Sequence, residues 1–302
     1  MTFPRISALV VALVVLPGLV GAQTLLGRSE TVFTWRGPLR AGALLTIRNH
    51  NGPIDVRPAT GTQVELRAEK RARYGNIEDV AFNVGTSSAG DVTICSTFRG
   101  NDPCDRDRDR RSWDDDGRRS VSVAMTVLVP RGAQLQVSTG NGAVTVERVG
   151  GEVNASTGNG RVTVRNTDGA VRVATGNGDV EVREVTGAVR VTTGNGRVSV
   201  TTARGPVEAR SGNGDVDVRM TAVQASEDMT FSTGSGDVRV TLPADYNGDL
   251  DASTGNGSIS SDFDLKVKGR LSPRRVRAAI GRGGARLRLS TGNGELEVRR
   301  AQ

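Results

Sequence analysis

The sequence is poor in the residues from which many active sites are built. Aromatic residues make up 3% of the 302 residues, and there is one histidine, His50. That count excludes multi-histidine metal sites, and the place of His50 between Asn49 and Asn51, in a predicted turn, indicates a surface residue instead of a histidine-based triad. The few aromatic residues also argue against a surface on which sugar rings stack.

Long apolar runs are absent except near the first residue. Arg5 precedes an apolar run over residues 6–20, and a small-residue pattern ending at Ala22 follows. This pattern predicts a cleaved signal peptide over residues 1–22. A retained membrane anchor is the alternative, disfavoured because a proline and a glycine interrupt a short run. We therefore expect residues 23–302 to be exported, to the periplasm, the outer surface or the medium, with no transmembrane segment after cleavage.

Cysteine is also scarce, with only Cys95 and Cys104 in the chain. Their separation suits a local disulfide in an exported protein, and a redox-active C-x-x-C pair is absent. The sequence predicts a structural disulfide, with two free thiols as the alternative.

A concentrated basic region of the kind that binds nucleic acid is absent as well. The formal net charge is +7, and it falls to +6 once Arg5 leaves with the signal peptide. Arginines alternate with acidic residues along most of the chain, which is typical of a solvated surface of mixed charge. We expect no nucleic-acid partner.

What the sequence does contain is an 18-residue repeat. Gly-Asn-Gly recurs four times at a spacing of 18, and related turns, the first of them Gly234-Ser235-Gly236, follow at spacings of 22, 21 and 37, which indicates later units with insertions. A threonine, such as Thr139 or Thr157, stands directly before each of the first four turns. The predicted structural turns of the regular units are Gly140, Asn141, Gly142, Gly158, Asn159, Gly160, Gly176, Asn177, Gly178, Gly194, Asn195, Gly196, Gly212, Asn213 and Gly214.

Each unit alternates valine with polar residues, as in Val162 and Val164, and has a second glycine nine residues on, such as Gly169. This pattern predicts two half-buried strands and two turns in every unit. Asn-Gly is favoured where a turn needs positive φ, and it also occurs in β-hairpins, so an antiparallel meander is the alternative. Identical residues at equal phase favour stacked coils. We therefore predict an all-β fold, a parallel β-solenoid (β-helix) with about 18 residues and two strands per coil.

Two other repeat classes share this period but not its pattern. Left-handed hexapeptide helices need an aliphatic residue every six positions, which the valines do not supply. Calcium-binding repeats need a constant carboxylate after the glycines, and here that residue varies from Ala143 to Arg161 to Asp179. We expect no stacked calcium and no cofactor.

Residues 23–124 are predicted to form an N-terminal β region that is continuous with the solenoid of residues 125–302 and caps its open end. Within it, an Asp/Arg-rich loop partly matches a calcium-binding loop, but Arg110 stands where glycine is needed. A mobile, self-neutralising loop is the favoured interpretation. The weak calcium candidates are Asp105, Asp107, Asp109 and Asp116.

Residues 265–289 are basic and form the best candidate for a patch that faces an anion, with scattered solvated arginines as the alternative. The glycine-rich run from Gly281 to Gly284 fits neither a phosphate loop nor a dinucleotide fingerprint, so we assign it to a turn. The basic residues are Lys266, Lys268, Arg270, Arg274, Arg275, Arg277, Arg282, Arg286 and Arg288.

The enzymatic alternative is a polysaccharide lyase or hydrolase built on a β-helix, with carboxylates along one face. The outward acids Glu147, Glu181, Glu208 and Asp217 are spread along the faces and have no aromatic platform beside them. We expect no catalytic residues and no enzymatic activity.

The repeated Thr-Gly-Asn-Gly-x-Val-x-Val, with the final turn at Gly292, Asn293 and Gly294, resembles the bacterial putative-adhesin family of β-strand-repeat domains of unknown function. The resemblance covers roughly residues 40–300. It implies a parallel β-solenoid exposed at the cell envelope and carries over no catalytic residues. The sequence thus favours a non-enzymatic exported adhesin-like scaffold, for binding or structure, with an unknown envelope protein or glycan as partner. An envelope-stress or signalling accessory protein is the alternative.

Overall fold

The structure is a computed structural model that describes residues 26–73, 75–98, 121–202, 204–223, 227–268 and 272–301. Its strands form two sheets, which we call sheet A, with 13 strands, and sheet B, with 12. Besides one 3-10 helix, Ile77–Asp79, the regular elements are β1 (Val32–Pro38), β2 (Leu44–Asn51), β3 (Ile54–Pro58), β4 (Gln63–Ala72), β5 (Val80–Thr86), β6 (Val92–Phe98), β7 (Val121–Val129), β8 (Gln134–Asn141), β9 (Val144–Glu147), β10 (Val153–Asn159), β11 (Val162–Thr167), β12 (Val171–Asn177), β13 (Val180–Val185), β14 (Val189–Asn195), β15 (Val198–Thr202), β16 (Val207–Asn213), β17 (Val216–Met220), β18 (Met229–Ser235), β19 (Val238–Leu242), β20 (Gly248–Asn256), β21 (Ile259–Ser261), β22 (Leu265–Val267), β23 (Arg275–Ile280), β24 (Arg286–Asn293) and β25 (Leu296–Arg300).

The regular repeats form coils with one strand in each sheet. Strands β8, β10, β12, β14, β16 and β18 are parallel neighbours in sheet A, and β9, β11, β13, β15, β17 and β19 are parallel neighbours in sheet B. The register is that of the repeat, since Val153 lies opposite Val171 and Asn159 opposite Asn177. The predicted parallel β-solenoid is therefore confirmed, and the antiparallel meander is wrong for these coils.

The core lies between the two sheets and consists of the alternating aliphatic side chains. Val162, Val164 and Val180 are at most 1% exposed, and the intervening residues point outward. One larger side chain, Phe231, has no exposed surface and stands in the row next to Ala209. A large residue beside a small one keeps the density of the core constant from coil to coil.

The last glycine of each turn is required by its backbone and by its neighbour. Gly160 has φ +157°, and a Cβ there would lie 2.0 Å from the carbonyl oxygen of Gly142 in the preceding coil. At these Gly-Asn-Gly turns, only the last glycine has positive φ. The asparagine before this glycine, such as Asn159, is the last residue of its strand and has an extended backbone. It therefore does not adopt the left-handed backbone conformation that is common in Asn-Gly turns.

The asparagines instead bond to one another along the solenoid. The side-chain amide of Asn159 donates to Asn141, and that of Asn177 donates to Asn159, both at 2.8 Å. The row continues through Asn195 and Asn213 at 2.7 and 2.8 Å. Each of these hydrogen bonds fixes the distance between adjacent turns. This explains why asparagine recurs at the same position of every regular unit.

The threonine before each turn is buried and bonds to the coil beside it. The hydroxyl of Thr157 donates to the Gly142 carbonyl at 3.0 Å, and that of Thr193 donates to the Gly178 carbonyl at 3.1 Å. Thr193 is 2% exposed. Because a buried carbonyl without a donor is unfavourable, the row of hydroxyls satisfies a row of acceptors that the strand ladder leaves open.

The N-terminal strands extend the solenoid and close its first end. Strands β2 and β3 pair in parallel with β8 and β9, and β6 and β7 pair in parallel on the far side of β2 and β3. Antiparallel strands follow outermost: β5 in sheet A, and β4 and β1 in sheet B. The division of the chain at residues 124 and 125 stays a prediction.

One buried lysine ties this end together. Lys70 is 1% exposed, and its ammonium donates to the carbonyls of Gly27, Arg28, Ile77 and Val80 at 2.5–3.2 Å. Burial lowers the pKa of Lys70. Four carbonyl acceptors compensate the loss of hydration, so the side chain links the residues before β1 to the 3-10 helix and β5.

At the other end the coils do not follow sequence order. Strands β24 and β25 lie between the coil of β18 and β19 and the coil of β20 and β21. Antiparallel β23 and β22 cover the outer edge of β20. The spacing of 37 residues therefore reflects an inserted hairpin and a change of coil order.

Candidate functional site

The candidate site is the outward surface at the C-terminal end of sheet A. It is formed by Asp249 and Asp251 on β20, the basic residues of β23 and β24, and the two lysines at β22. We call it the C-terminal basic face and define its cations as Lys266, Lys268, Arg275, Arg277, Arg286 and Arg288, all of them exposed. A shallow groove in it is lined by Asp249, Leu250, Asp251, Lys268, Arg277, Ala278 and Arg286.

Strand pairing brings these charges together. Asp251 lies opposite Arg277 on one neighbouring strand and opposite Arg288 on the other. Asp249 lies opposite Arg286. Since alternate residues of a strand point to the same face, the acids form a central row with cations on both sides.

The two acids form ion pairs with only some of the basic residues. Lys268 Nζ lies 2.8 Å from Asp249 Oδ1. Asp251 Oδ1 is 3.6 Å from Arg277 Nε and 3.9 Å from Arg275 Nη2. Each carboxylate is thus already engaged, Asp249 by Lys268 and Asp251 by the arginines of β23.

The side chains of Lys266, Arg286 and Arg288 form no ion pair within the described part of the chain. The nearby Asp228 accepts from the backbone N–H of Arg286 at 2.8 Å. Six cations then face three carboxylates, a formal charge of about +3 at neutral pH. This excess charge is concentrated beside a groove.

The central coils show the opposite arrangement. Arg161 Nη2 and Asp179 Oδ2 are 3.0 Å apart on adjacent coils, and Arg197 and Asp215 are 3.2 Å apart. The backbone N–H of Arg197 and the guanidinium of Arg161 lower the pKa of Asp179. The repeated ladders therefore neutralise themselves, and the excess positive charge lies at the end of the solenoid.

The outward acids of the enzymatic alternative do not converge. Glu181 and Asp217 stand in one row of sheet B, two coils apart, Glu147 lies in the next row, and Glu208 lies on sheet A. Arginines hold two of them, since Glu181 pairs with Arg165 at 3.1 Å and Glu208 pairs with arginines of sheet A at 2.6 and 2.8 Å.

His50 is the penultimate residue of β2, where it is half-buried, and burial lowers its pKa to about 4. Its backbone N–H donates to Ser96 Oγ at 3.1 Å. The expectation of an exposed turn residue is therefore wrong, since His50 belongs to a strand and its side chain is half-buried.

Several predicted residues fall outside the described residues. They include Cys104, Arg270 and all four weak calcium candidates, so the disulfide of Cys95 and the calcium site stay predictions. Within the described ranges, no group of three or more histidine, cysteine or acidic residues could hold a metal ion. Nor does any described helix have the length and apolar character to cross a membrane.

Two features of the structure were not predicted, although the sequence contains a sign of each. Lys70 occupies an inward position after Val64, Leu66 and Ala68, so a charge interrupts the alternation of β4. The partners of the basic segment, Asp249 and Asp251, precede it in the chain and alternate with buried residues. An inward charge and a pair of outward acids are both visible in the sequence once the strand is known.

The fold defines a protein of the repeat-stacked β-solenoid class. The chain belongs to the family of Toastrack DUF4097 domains, whose family model matches residues 44–299. It is a family of unknown function, and its match confirms the resemblance found in the repeats. No curated protein is similar enough to report.

Two solved structures are similar to the chain. One is a putative adhesin from Bacteroides fragilis, 10% identical, which covers 90% of this chain and 98% of its own at a TM-score of 0.44. The other is a putative cell adhesion protein from Clostridium sporogenes, also 10% identical, which covers 89% of this chain and all of its own at a TM-score of 0.29.

Proposed function

We propose that this chain is a non-enzymatic, exported binding scaffold of the bacterial envelope, and that its C-terminal basic face binds an anionic glycan. The observation that carries the proposal is the set of unpaired cations, Lys266, Arg286 and Arg288, beside an open groove. Guanidinium groups bind carboxylates through two parallel N–H donors, so a uronate polymer fits the charge and chemistry of this face.

The rigid solenoid supports this role. Arg286 and Arg288 project from one strand, at a spacing of about 6.7 Å, and neighbouring strands are about 4.8 Å apart. Regular strands on both sides fix the spacing of the Cα atoms, so little backbone order has to be gained on binding. A polymer with regularly spaced carboxylates can contact several cations at once, and many weak contacts add to a useful affinity.

Export is supported by the signal-peptide pattern of residues 1–22. N-terminal sequencing of protein recovered from an envelope fraction tests this part of the proposal. We expect a mature chain that begins at Gln23. A chain that keeps its first 22 residues and remains in the cytoplasm would contradict it.

Binding is tested by titrating fluorescent mature protein with polygalacturonate, and with neutral dextran as the control polymer. We expect saturable binding to polygalacturonate that weakens as salt rises, because exposed charge contacts are screened. Replacing Arg286 and Arg288 together by glutamine removes two contacts of about 0.7 kcal/mol each, which is roughly a tenfold loss of affinity.

The matched control replaces Arg131 and Arg219 by glutamine. Both are exposed, both lie away from the C-terminal basic face, and the double variant loses the same two charges. Equal weakening in the two double variants would show that net charge, not this face, determines binding. Release of reducing sugars or unsaturated products from the same polymer would overturn the non-enzymatic part.

A further inference from the structure

The coil of β24 and β25 occupies a slot between two coils that precede it in the chain. In sheet A, β24 is hydrogen-bonded to β18 on one side and to β20 on the other, both in parallel. In sheet B, β25 lies likewise between β19 and β21. The slot is therefore a complete binding site for one coil, with two walls in each sheet.

The two coils that border the slot bind features that are common to all coils with this turn. The hydroxyl of Thr291 donates to the Gly236 carbonyl at 2.9 Å, and that of Thr254 donates to the Gly294 carbonyl at 3.0 Å. The amide of Asn256 donates to Asn293 at 2.8 Å. These are the bonds formed between coils that follow sequence order, so the slot accepts a Thr-Gly-Asn-Gly coil by shared chemistry.

An empty slot would be unfavourable. The coil fills it with four side chains that have no exposed surface: Leu287, Leu289, Leu296 and Val298. Removing them would expose those side chains and the facing core residues to water. The slot is therefore stable only when a coil of this kind occupies it.

The segment that leads into the slot is a glycine-rich loop. Gly281, Gly283 and Gly284 have φ values of +58°, +78° and +144°. Glycine adopts these and many other backbone angles at small cost, so the direction of the chain at this loop can change. The loop is held by few polar contacts, among them the N–H of Arg282 with Asn247 Oδ1 at 2.9 Å.

From these observations we infer that the slot is an interaction surface for a second copy of this chain. The coil of β24 and β25 of one copy enters the slot of another, with the same contacts that it makes within its own chain. Exchange of an identical element forms dimers at low cost because no new interface has to be built. Within one chain the effective concentration favours the chain's own coil, so exchange increases with protein concentration during folding.

The test uses two variants of the full chain, Ser232→Cys and Ser290→Cys. These residues are register partners on β18 and β24, and neither side chain is in the core. The variants are mixed in denaturant, refolded together at increasing concentration and treated with a short bis-maleimide. Soluble dimers are isolated by size-exclusion chromatography and analysed on denaturing gels.

The matched control is the pair Ser138→Cys and Ser156→Cys. These serines are also register partners in sheet A, but they lie on coils in sequence order. We expect cross-linked dimers from the Ser232 and Ser290 mixture to rise with concentration and to exceed the control pair about tenfold. Equal yields from the two mixtures, or no dimer in either, would overturn the inference.

Discussion

The sharpest prediction concerns the close approach of backbones at the turns. Gly178 has φ +147°, and a Cβ added there would lie 2.0 Å from the carbonyl oxygen and 2.5 Å from the carbonyl carbon of Gly160. Both atoms belong to the backbone of the adjacent coil, so a change of side-chain rotamer cannot relieve the clash. Gly178→Ala must therefore separate the two coils by more than about 1 Å, which breaks hydrogen bonds of ordinary length.

The expected cost follows from those bonds. Between these two coils, the N–H of Gly160 donates to the carbonyl of Asn177 at 2.8 Å, and the N–H of Val162 donates to the carbonyl of Asp179 at 3.0 Å. Leaving two buried groups unsatisfied costs about 1–3 kcal/mol each, and the backbone conformation adds about 1–2 kcal/mol for a residue with a Cβ. We expect Gly178→Ala to lower the free energy of unfolding by roughly 3–8 kcal/mol in total.

Gly132 provides the matched control. It also has positive φ, +81°, but a Cβ there meets nothing within 4 Å. Gly132→Ala should cost only the conformational term of about 1–2 kcal/mol. Thermal unfolding of the mature chain, followed by far-UV circular dichroism, should show a small decrease in Tm for this variant and a decrease several times larger, or failure to fold, for Gly178→Ala. Equal decreases would refute the argument from close approach.

Four further predictions concern single side chains. Thr193→Val should destabilise the chain by about 1–3 kcal/mol because the Gly178 carbonyl loses its donor, while Thr193→Ser keeps the hydroxyl and most of the stability in urea unfolding. Lys70→Met should lower the free energy of unfolding by roughly 2–4 kcal/mol, since four carbonyls lose their shared donor; unchanged stability in the same assay would contradict the role of the ammonium. The pKa of His50 is about 4 in the folded chain and about 6.5 when unfolded. The unfolded chain therefore binds a proton first, stability falls as pH drops from about 6.5 towards 4, and His50→Gln should flatten that part of the pH profile of Tm. Glu184 has φ +54°, where Asn166 at the same phase has φ +55°, so Glu184→Asn should raise stability by roughly 0.5–1 kcal/mol; an unchanged or lower Tm would argue against strain.

The repeated part of the fold could be predicted from the sequence because several signals agree. The valines of β11 and β13 give the period of the strands, and the glycines give the positions of the turns. The identity of Thr157 and Thr175 at equal phase favours stacking in parallel, and the structure shows the reason, since each hydroxyl bonds to the coil beside it. The asparagines have a different role from the one that Asn-Gly turns suggest, because their amides bond to one another and their φ values are not positive.

The order of the last coils could not be predicted. Every coil offers the same row of hydroxyls, amides and aliphatic side chains, so local sequence does not distinguish β20 from β24 as the neighbour of β18. The candidate site could be predicted only in part, because its residues come from separate parts of the sequence. The basic segment is visible in the sequence, but the acids that neutralise some of it, Asp249 and Asp251, are identified only by strand pairing.

The equal rungs of asparagine and threonine also bear on how such a chain can change length. Residues 143–160 run from one turn to the equivalent point of the next, and the asparagine and threonine hydrogen bonds that they make to the coil before are repeated by the coil after. Deleting or duplicating such a unit removes or adds one coil and leaves the asparagine and threonine bonds at each junction unchanged. The solenoid would shorten or lengthen by about 4.8 Å, one strand spacing, for each unit. Its ends, with the buried lysine and the intercalated coil, would stay the same, so the reach of the molecule can evolve separately from the parts that close it.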